Sequence, residues 1–173
     1  PIARGGTGRA SQIPRPLPKL TGLQNIALPP MFGQVVMDRA AAEREAWRWL
    51  EFTNLSDKAF HYPAERNLHQ RKFLELARSL ASRPRLVMLD EVLSGLTPTE
   101  IDEAVRLVRA IREQGSTIIF VEHVMRAVMA LADRVVVLNY GQVIAGARPS
   151  DGSSSSSSRG CAISARPIAT ICC

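Results

Sequence analysis

Four apolar residues at 86–89, Leu-Val-Met-Leu, run without interruption into two acids, Asp90 and Glu91. A short apolar run without polar alternation is the pattern of a strand covered on both faces. Acids at its C-terminal end fall on the rim where open parallel sheets bind ligands. Taken alone, the stretch fits equally well a buried strand followed by a solvated acidic turn. Two further apolar runs, 117–121 and 134–138, predict strands of the same kind, and the first of them ends in Glu122-His123. Between them the period changes to that of a helix. Ile101, Val105, Val108 and Ile111 face inward over 98–114, with Pro98 at a first-turn position and Gly115 closing the helix. A further helix runs to Leu131, and Asn139-Tyr140-Gly141-Gln142 reads as a hairpin turn into 143–145.

Upstream the pattern is helical. A short helix is expected over 20–29, with Leu20, Leu23, Ile26 and Ala27 on one face and Pro29-Pro30 ending it. A helix over 38–52 has Asp38 as its N-cap and an apolar stripe of Ala42, Ala46, Trp49, Leu50 and Phe52. Trp47 falls off that stripe and is read as packing on a neighbour rather than as an anchor for another helix. After a linker at 60–66, a helix over 68–82 is capped by Asn67 and has Leu68, Phe73, Leu76, Ala77 and Leu80 along one face. Its Arg71, Lys72, Glu75 and Arg78 read as a solvated face. Alternating strands and helices followed by a hairpin are an α/β layout with a parallel sheet. The expected organisation is a connector at 1–19, a helical subdomain at 20–84 and an α/β unit at 85–147. A low-complexity tail without fixed structure is expected at 148–173, where a serine run occupies 153–158.

Charge changes little in this picture. The chain of 173 residues has a net charge of +6, with aromatic residues at 5%. Residues 1–20 carry +4 and residues 148–173 carry +2, so 21–147 nets zero. A neutral middle and few aromatics leave only a weak footprint for a nucleic-acid partner. Cys161, Cys172 and Cys173 all lie in the tail, and no disulfide or metal-ligand spacing is visible. Gly5-Gly6-Thr7-Gly8 lacks the Gly-Lys-Ser/Thr ending of a phosphate loop and reads as a loop. Asp90-Glu91 and His123 end successive buried strands, so adjacent parallel strands would bring them to one rim.

With these segments in order, the sequence resembles the nucleotide-binding subunit of an ATP-binding cassette (ABC) transporter, in the branched-chain amino acid importer group. Residues 86–91 look like a Walker B strand, Ser94-Gly95-Leu96-Thr97 like the D-loop and 119–123 like the switch-histidine segment. Ser11-Gln12-Ile13-Pro14-Arg15-Pro16 looks like the Q-loop, and 74–80 like the helix after the signature motif. Residues 133–141 look like the last strand and hairpin of the cassette. The resemblance covers about residues 9–148. It implies a P-loop NTPase-like parallel sheet, here partial, with an α-helical subdomain. ATP and Mg2+ are the implied substrate and metal, with Asp90 and Gln12 at the metal, Glu91 polarising the attacking water and His123 donating to the γ-phosphate. The implied partners are a second ATP-binding subunit, in a homo- or heterodimer, and transmembrane permease subunits. The implied place is cytoplasmic, peripheral on the inner face of the plasma membrane.

Two departures qualify the resemblance. No phosphate loop with its lysine is present, so the chain reads as a fragment that binds Mg-ATP feebly and does not turn over alone. The signature Leu-Ser-Gly-Gly-Gln is replaced by Arg66-Asn67-Leu68-His69-Gln70. Asn67, His69 and Gln70, with Ser94 and Thr97 of the D-loop, are the expected contacts to nucleotide in this frame. The altered signature leaves open a degenerate, non-hydrolysing cassette that acts as a structural or regulatory partner.

Overall fold

A computed structural model describes residues 7–10, 14–32, 36–140, 142–147 and 168–172. Its sheet has six strands in the order β1-β2-β3-β6-β4-β5. These are β1 (Thr7–Ala10), β2 (Leu86–Asp90), β3 (Thr117–Val121), β4 (Arg134–Asn139), β5 (Gln142–Ala147) and β6 (Ile168–Cys172). All neighbours are parallel except β4 and β5, which form the expected hairpin. β2 lies between β1 and β3, in register with Asp90 opposite Val121. Val87, Leu89, Ile118 and Phe120 are fully buried on one face, while Leu86, Met88, Thr117 and Ile119 on the other are half-buried. The two faces are therefore covered unevenly rather than equally.

The helices are α1 (Gly22–Phe32), α2 (Arg39–Phe52), α3 (Leu68–Leu80), α4 (Pro98–Glu113) and α5 (Met125–Leu131). Three caps follow the sequence rules. Asp38 accepts from Ala41 N–H, Asn67 from Gln70 N–H and Thr97 from Glu100 N–H. α1 does not stop at Pro29 and Pro30 but runs on to Phe32. The prolines lie in its final turn and forfeit the i→i−4 bonds to the Asn25 and Ile26 carbonyls, yet Met31 and Phe32 continue the helix beyond them. Asn25 holds its start: fully buried, it donates to the carbonyls of Leu17, Leu20 and Thr21 and accepts from Leu17 N–H. Trp47 packs edge-on against Phe60 at 5.9 Å between ring centroids, as a neighbour contact. The linker at 60–66 ends in the 3-10 turn Pro63–Glu65, and buried Arg66 donates to the Lys58 carbonyl.

Two other expectations are corrected. Thr7 and Gly8 belong to a strand rather than a loop. A Cβ on Gly8 would stand 3.0 Å from Pro84 and 3.1 Å from the Ser79 carbonyl, so this glycine serves close packing of β1 on the turn after α3. The tail expected to lack structure contributes β6, which enters the middle of the sheet between β3 and β4. Five apolar or β-branched residues, Ile-Ala-Thr-Ile-Cys, are enough for a strand when both flanks offer partners.

Candidate functional site

The parallel register brings the ends of β2 and β3 to one rim. Glu91 follows β2 directly and adopts a left-handed backbone at φ +48°, unusual for a residue with a Cβ. Its N–H donates to the Val121 carbonyl at 2.9 Å, which fixes the turn against β3. The bend sends residues 91–95 across the rim, with Val92 and Leu93 buried beneath. His123 leaves β3 at the same height. Its Nδ1 lies 3.9 Å from Glu91 Oε1 and 3.9 Å from Glu122 Oε2. The His123 side chain is 59% exposed and that of Glu91 35%, so both are open to a ligand. Asp90 pairs with Arg9 of β1 at 3.3 Å, through two solvent-facing side chains.

Beneath the rim is a polar framework that the sequence reading missed. Glu122, only 2% exposed, accepts from Leu93 N–H at 2.8 Å and from His123 N–H at 3.3 Å. Lys72 of α3 donates to the Ser94 carbonyl at 2.5 Å and reaches the Glu91 carbonyl at 3.4 Å. Burial pushes the Lys72 ammonium below its ordinary range, and the carboxylates of Glu122 and Glu91 partly offset this. The face of α3 expected to be solvated is thus largely covered: Lys72 is 5% and Glu75 6% exposed. Glu75 accepts from Arg15 N–H at 2.6 Å, and Arg78 donates to the Arg15 carbonyl at 3.2 Å. Helical periodicity marks the apolar stripe of α3, but nothing local signals that its opposite face is also packed.

No protein-family profile matches the chain. Curated relatives do. Glutamine transport ATP-binding protein GlnQ of Geobacillus stearothermophilus is 34% identical over 134 residues, 78% of this chain and 55% of the relative. High-affinity branched-chain amino acid transport ATP-binding protein BraF of Pseudomonas aeruginosa is 34% identical over 164 residues, 86% of this chain and 64% of the relative. Among solved structures, the ATP-binding cassette MJ0796 in a dimeric post-hydrolysis state bound to ADP and Pi superposes with a TM-score of 0.75. It is 24% identical, and the match covers 83% of this chain and 62% of that one. The cassette MJ1267 of an ABC transporter, in its ADP conformation, superposes with a TM-score of 0.72 at 25% identity, covering 85% and 62%.

The chain is a homologue of ABC transporter ATP-binding proteins. It spans between about half and two thirds of the length of the two relatives named here. Its fold is that of the ABC ATPase cassettes, a P-loop NTPase sheet with helices.

The remaining cassette motifs are placed as follows. Gln12, in the segment resembling the Q-loop, lies outside the described residues. Asn67 and Gln70, in the signature position, cap α3 reciprocally: Asn67 Oδ1 accepts from Gln70 N–H at 2.8 Å and Gln70 Oε1 from Asn67 N–H at 3.3 Å. His69 turns towards α4, with its ring nitrogens 3.6 Å from Glu100 and 3.8 Å from Glu103 and its ring packed on Phe73 at 4.2 Å. Ser94 offers its carbonyl to Lys72, and Thr97 caps α4. Among the described residues, no hydrogen bond or ion pair joins Asn67, His69, Gln70 or Thr97 to Asp90, Glu91 or His123. No helix among the described residues is long and apolar enough to cross a membrane.

Proposed function

We propose that the rim formed by Asp90, Glu91 and His123 is the metal- and water-handling edge of a transport-coupled ATPase. The observation that carries this reading is the meeting of His123 and Glu91 at 3.9 Å on adjacent strand ends, next to Asp90. Among the described residues no cluster of three or more metal-ligating side chains exists. Magnesium takes one or two protein carboxylates and completes its shell with water and phosphate oxygens. Asp90 would hold that ion, exchanging Arg9 for it, and the ion would neutralise charge on the transferring phosphoryl group. Glu91 would orient the attacking water in line with the γ-phosphate and take up its proton. His123 would donate to a γ-phosphate oxygen. Such catalysis consists mainly of positioning and charge neutralisation, so these few groups suffice once the phosphates are cradled.

The cassette would act as a dimer beneath permease subunits at the inner face of the membrane. Amino acids are the cargo class named for the relatives, with branched-chain residues suggested by BraF. Gln12 would complete the metal site and report to the permease. Residues 7–147 supply no phosphate-cradling lysine loop, so turnover belongs to a protein that carries one.

The second reading, a non-hydrolysing partner cassette, is supported by the α3 N-terminus. There Asn67 and Gln70 satisfy each other, and His69 faces carboxylates rather than solvent. ATP turnover by the cassette joined to a phosphate-loop segment decides between the two. The wild type turns over and Glu91→Gln falls by about 10²–10⁴-fold, the usual worth of a general base. Equal inactivity of wild type and variant sinks the catalytic reading. For the chain as it stands, calorimetric titration is expected to show no micromolar affinity for Mg-ATP.

A further inference from the structure

At the end of the sheet opposite the rim there is a second concavity. Arg85 and Ser116 directly precede β2 and β3, which run side by side from Leu86 and Thr117. A cleft of about 410 Å3 opens there between three segments: the C-terminal half of α2, the turn from α3 into β2 and the turn from α4 into β3. Five residues of strand, about 16 Å, separate it from the rim. Its floor is apolar, since Trp49, Leu80 and Ile111 are buried.

The charge of the cleft is one-sided. Arg48, Arg83 and Arg85 line it together with one carboxylate, Glu45. Glu45 is 8% exposed and already engaged: it accepts from the Trp49 indole N–H at 3.1 Å and from the Arg83 guanidinium at 3.0 and 3.4 Å. Arg83 makes that pair from a left-handed backbone at φ +51°, a conformation that glycine adopts at lower cost. The Ser116 hydroxyl donates to the Pro84 carbonyl at 2.9 Å and ties the two turns together. Glu45 and Arg83 cancel, which leaves two positive charges. Among the described residues the guanidinium groups of Arg48 and Arg85 have no hydrogen-bond or ion-pair partner.

We propose that this cleft binds a compact organic dianion, with its carboxylate or phosphate oxygens held by Arg48 and Arg85 and its carbon body on the apolar floor. Guanidinium groups are weakly hydrated, and their planar fork matches both kinds of oxyanion in a bidentate way. Two negative charges balance the two unpaired arginines. The volume falls in the lower part of the range usual for small-molecule sites. A ligand bridging Arg48 and Arg85 joins α2 to the start of β2. It would do so beside the Glu45–Arg83 pair, which already spans these segments across 38 residues of sequence. Every residue lining the cleft lies between 45 and 116, and the site does not depend on the chemistry assigned to the rim.

The test titrates the chain with succinate, a dicarboxylate, and with glycerol phosphate, a phosphate monoester, near neutral pH and at about 0.15 M salt. Amide chemical shifts of the isotope-labelled protein locate the binding. At least one probe is expected to bind saturably with a midpoint below about 1 mM, to shift the amides of Arg83, Arg85, Gln114 and Ser116, and to raise the melting temperature. Which probe binds identifies the oxyanion that the site takes. Arg48→Gln and Arg85→Gln are each expected to weaken binding by about tenfold or more. Neither side chain has a partner to lose, so both variants are expected to melt like the wild type without ligand. His123→Gln, at the opposite end of the sheet, is expected to bind the probe as the wild type does. No saturable binding of either probe below about 1 mM overturns the proposal. So does binding that both arginine variants retain, or binding that shifts the amides of 90–94 and 121–123 in place of those at the cleft.

Discussion

The carboxylate of Glu122 accepts a hydrogen bond from the backbone N–H of Leu93 at 2.8 Å, across 29 residues of sequence. One buried side chain thereby ties the turn that carries Glu91 to the strand that carries His123. Truncation would leave the Leu93 donor buried and unpaired, at a cost of about 1–3 kcal/mol. Urea unfolding of Glu122→Ala is expected to show that loss. Glu122→Gln keeps an acceptor in place and is expected to lose less. Equal stability of wild type and Glu122→Ala would remove Glu122 from the framework.

Lys72 makes the alkaline limb of stability informative. Burial lowers the pKa of its ammonium in the folded state, so the cost of keeping it charged is fully present below that lowered value. As pH rises from neutral towards the ordinary lysine value of about 10.4, the wild type gains stability from this group. Lys72→Met cannot gain it. The stability difference between the two should therefore move towards the wild type over that window. Lys19 and Lys58 are the chain's other lysines and are common to both proteins. The Ser94 and Glu91 carbonyls lose their ammonium partner in the variant, so amide exchange at 91–95 is expected to quicken.

The Thr97–Glu100 capping box has the opposite pH signature. Glu100 is held below the usual carboxylate range by its hydrogen bond from Thr97 N–H, then by that from the Thr97 hydroxyl, with His69 adding to the effect. A lowered carboxyl pKa adds stability above the unfolded value of about 4.3, and that stability is lost as pH falls through the folded value. Thr97→Ala is expected to cost about 1 kcal/mol near neutrality and less in acid. Chemical denaturation at the two pH values measures this, and a cost independent of pH would contradict it.

Gly22 is a steric position. A Cβ there would collide with the Arg66 guanidinium and stand 3.2 Å from the Ala59 carbonyl. Arg66 is 2% exposed and is held by the Lys58 carbonyl, so it has little room to withdraw. Gly22→Ala is expected to destabilise by about 1–3 kcal/mol, as other overpacked sites do. A thermal melt unchanged from the wild type would show that the arginine yields.

Much of the local structure was legible along the chain. The strand at 86–90, the helices starting at Arg39, Leu68 and Pro98, and the caps Asp38, Asn67 and Thr97 follow from patterns within a few residues. The rim itself was legible because acids and a histidine at successive strand ends meet whenever those strands pair in parallel, as β2 and β3 do. Less was legible where the cause lay far away. Thr7–Ala10 is a strand because β2 offers it an edge, while its glycine spoke for a loop.

By itself the sequence determined element type, capping and the residues offered to the rim, since periodicity and short-range hydrogen bonding act within a turn or a strand. Only the tertiary structure decided which charged groups are buried and what fills the sheet. Lys72 is a framework residue because α3 lies against residues 91–94, and Glu122 because Leu93 needs an acceptor. Ile168–Cys172 is a strand that pairs with β3 on one side and β4 on the other. Each depends on a partner 19 or more residues away, and no local pattern encodes a partner at that distance.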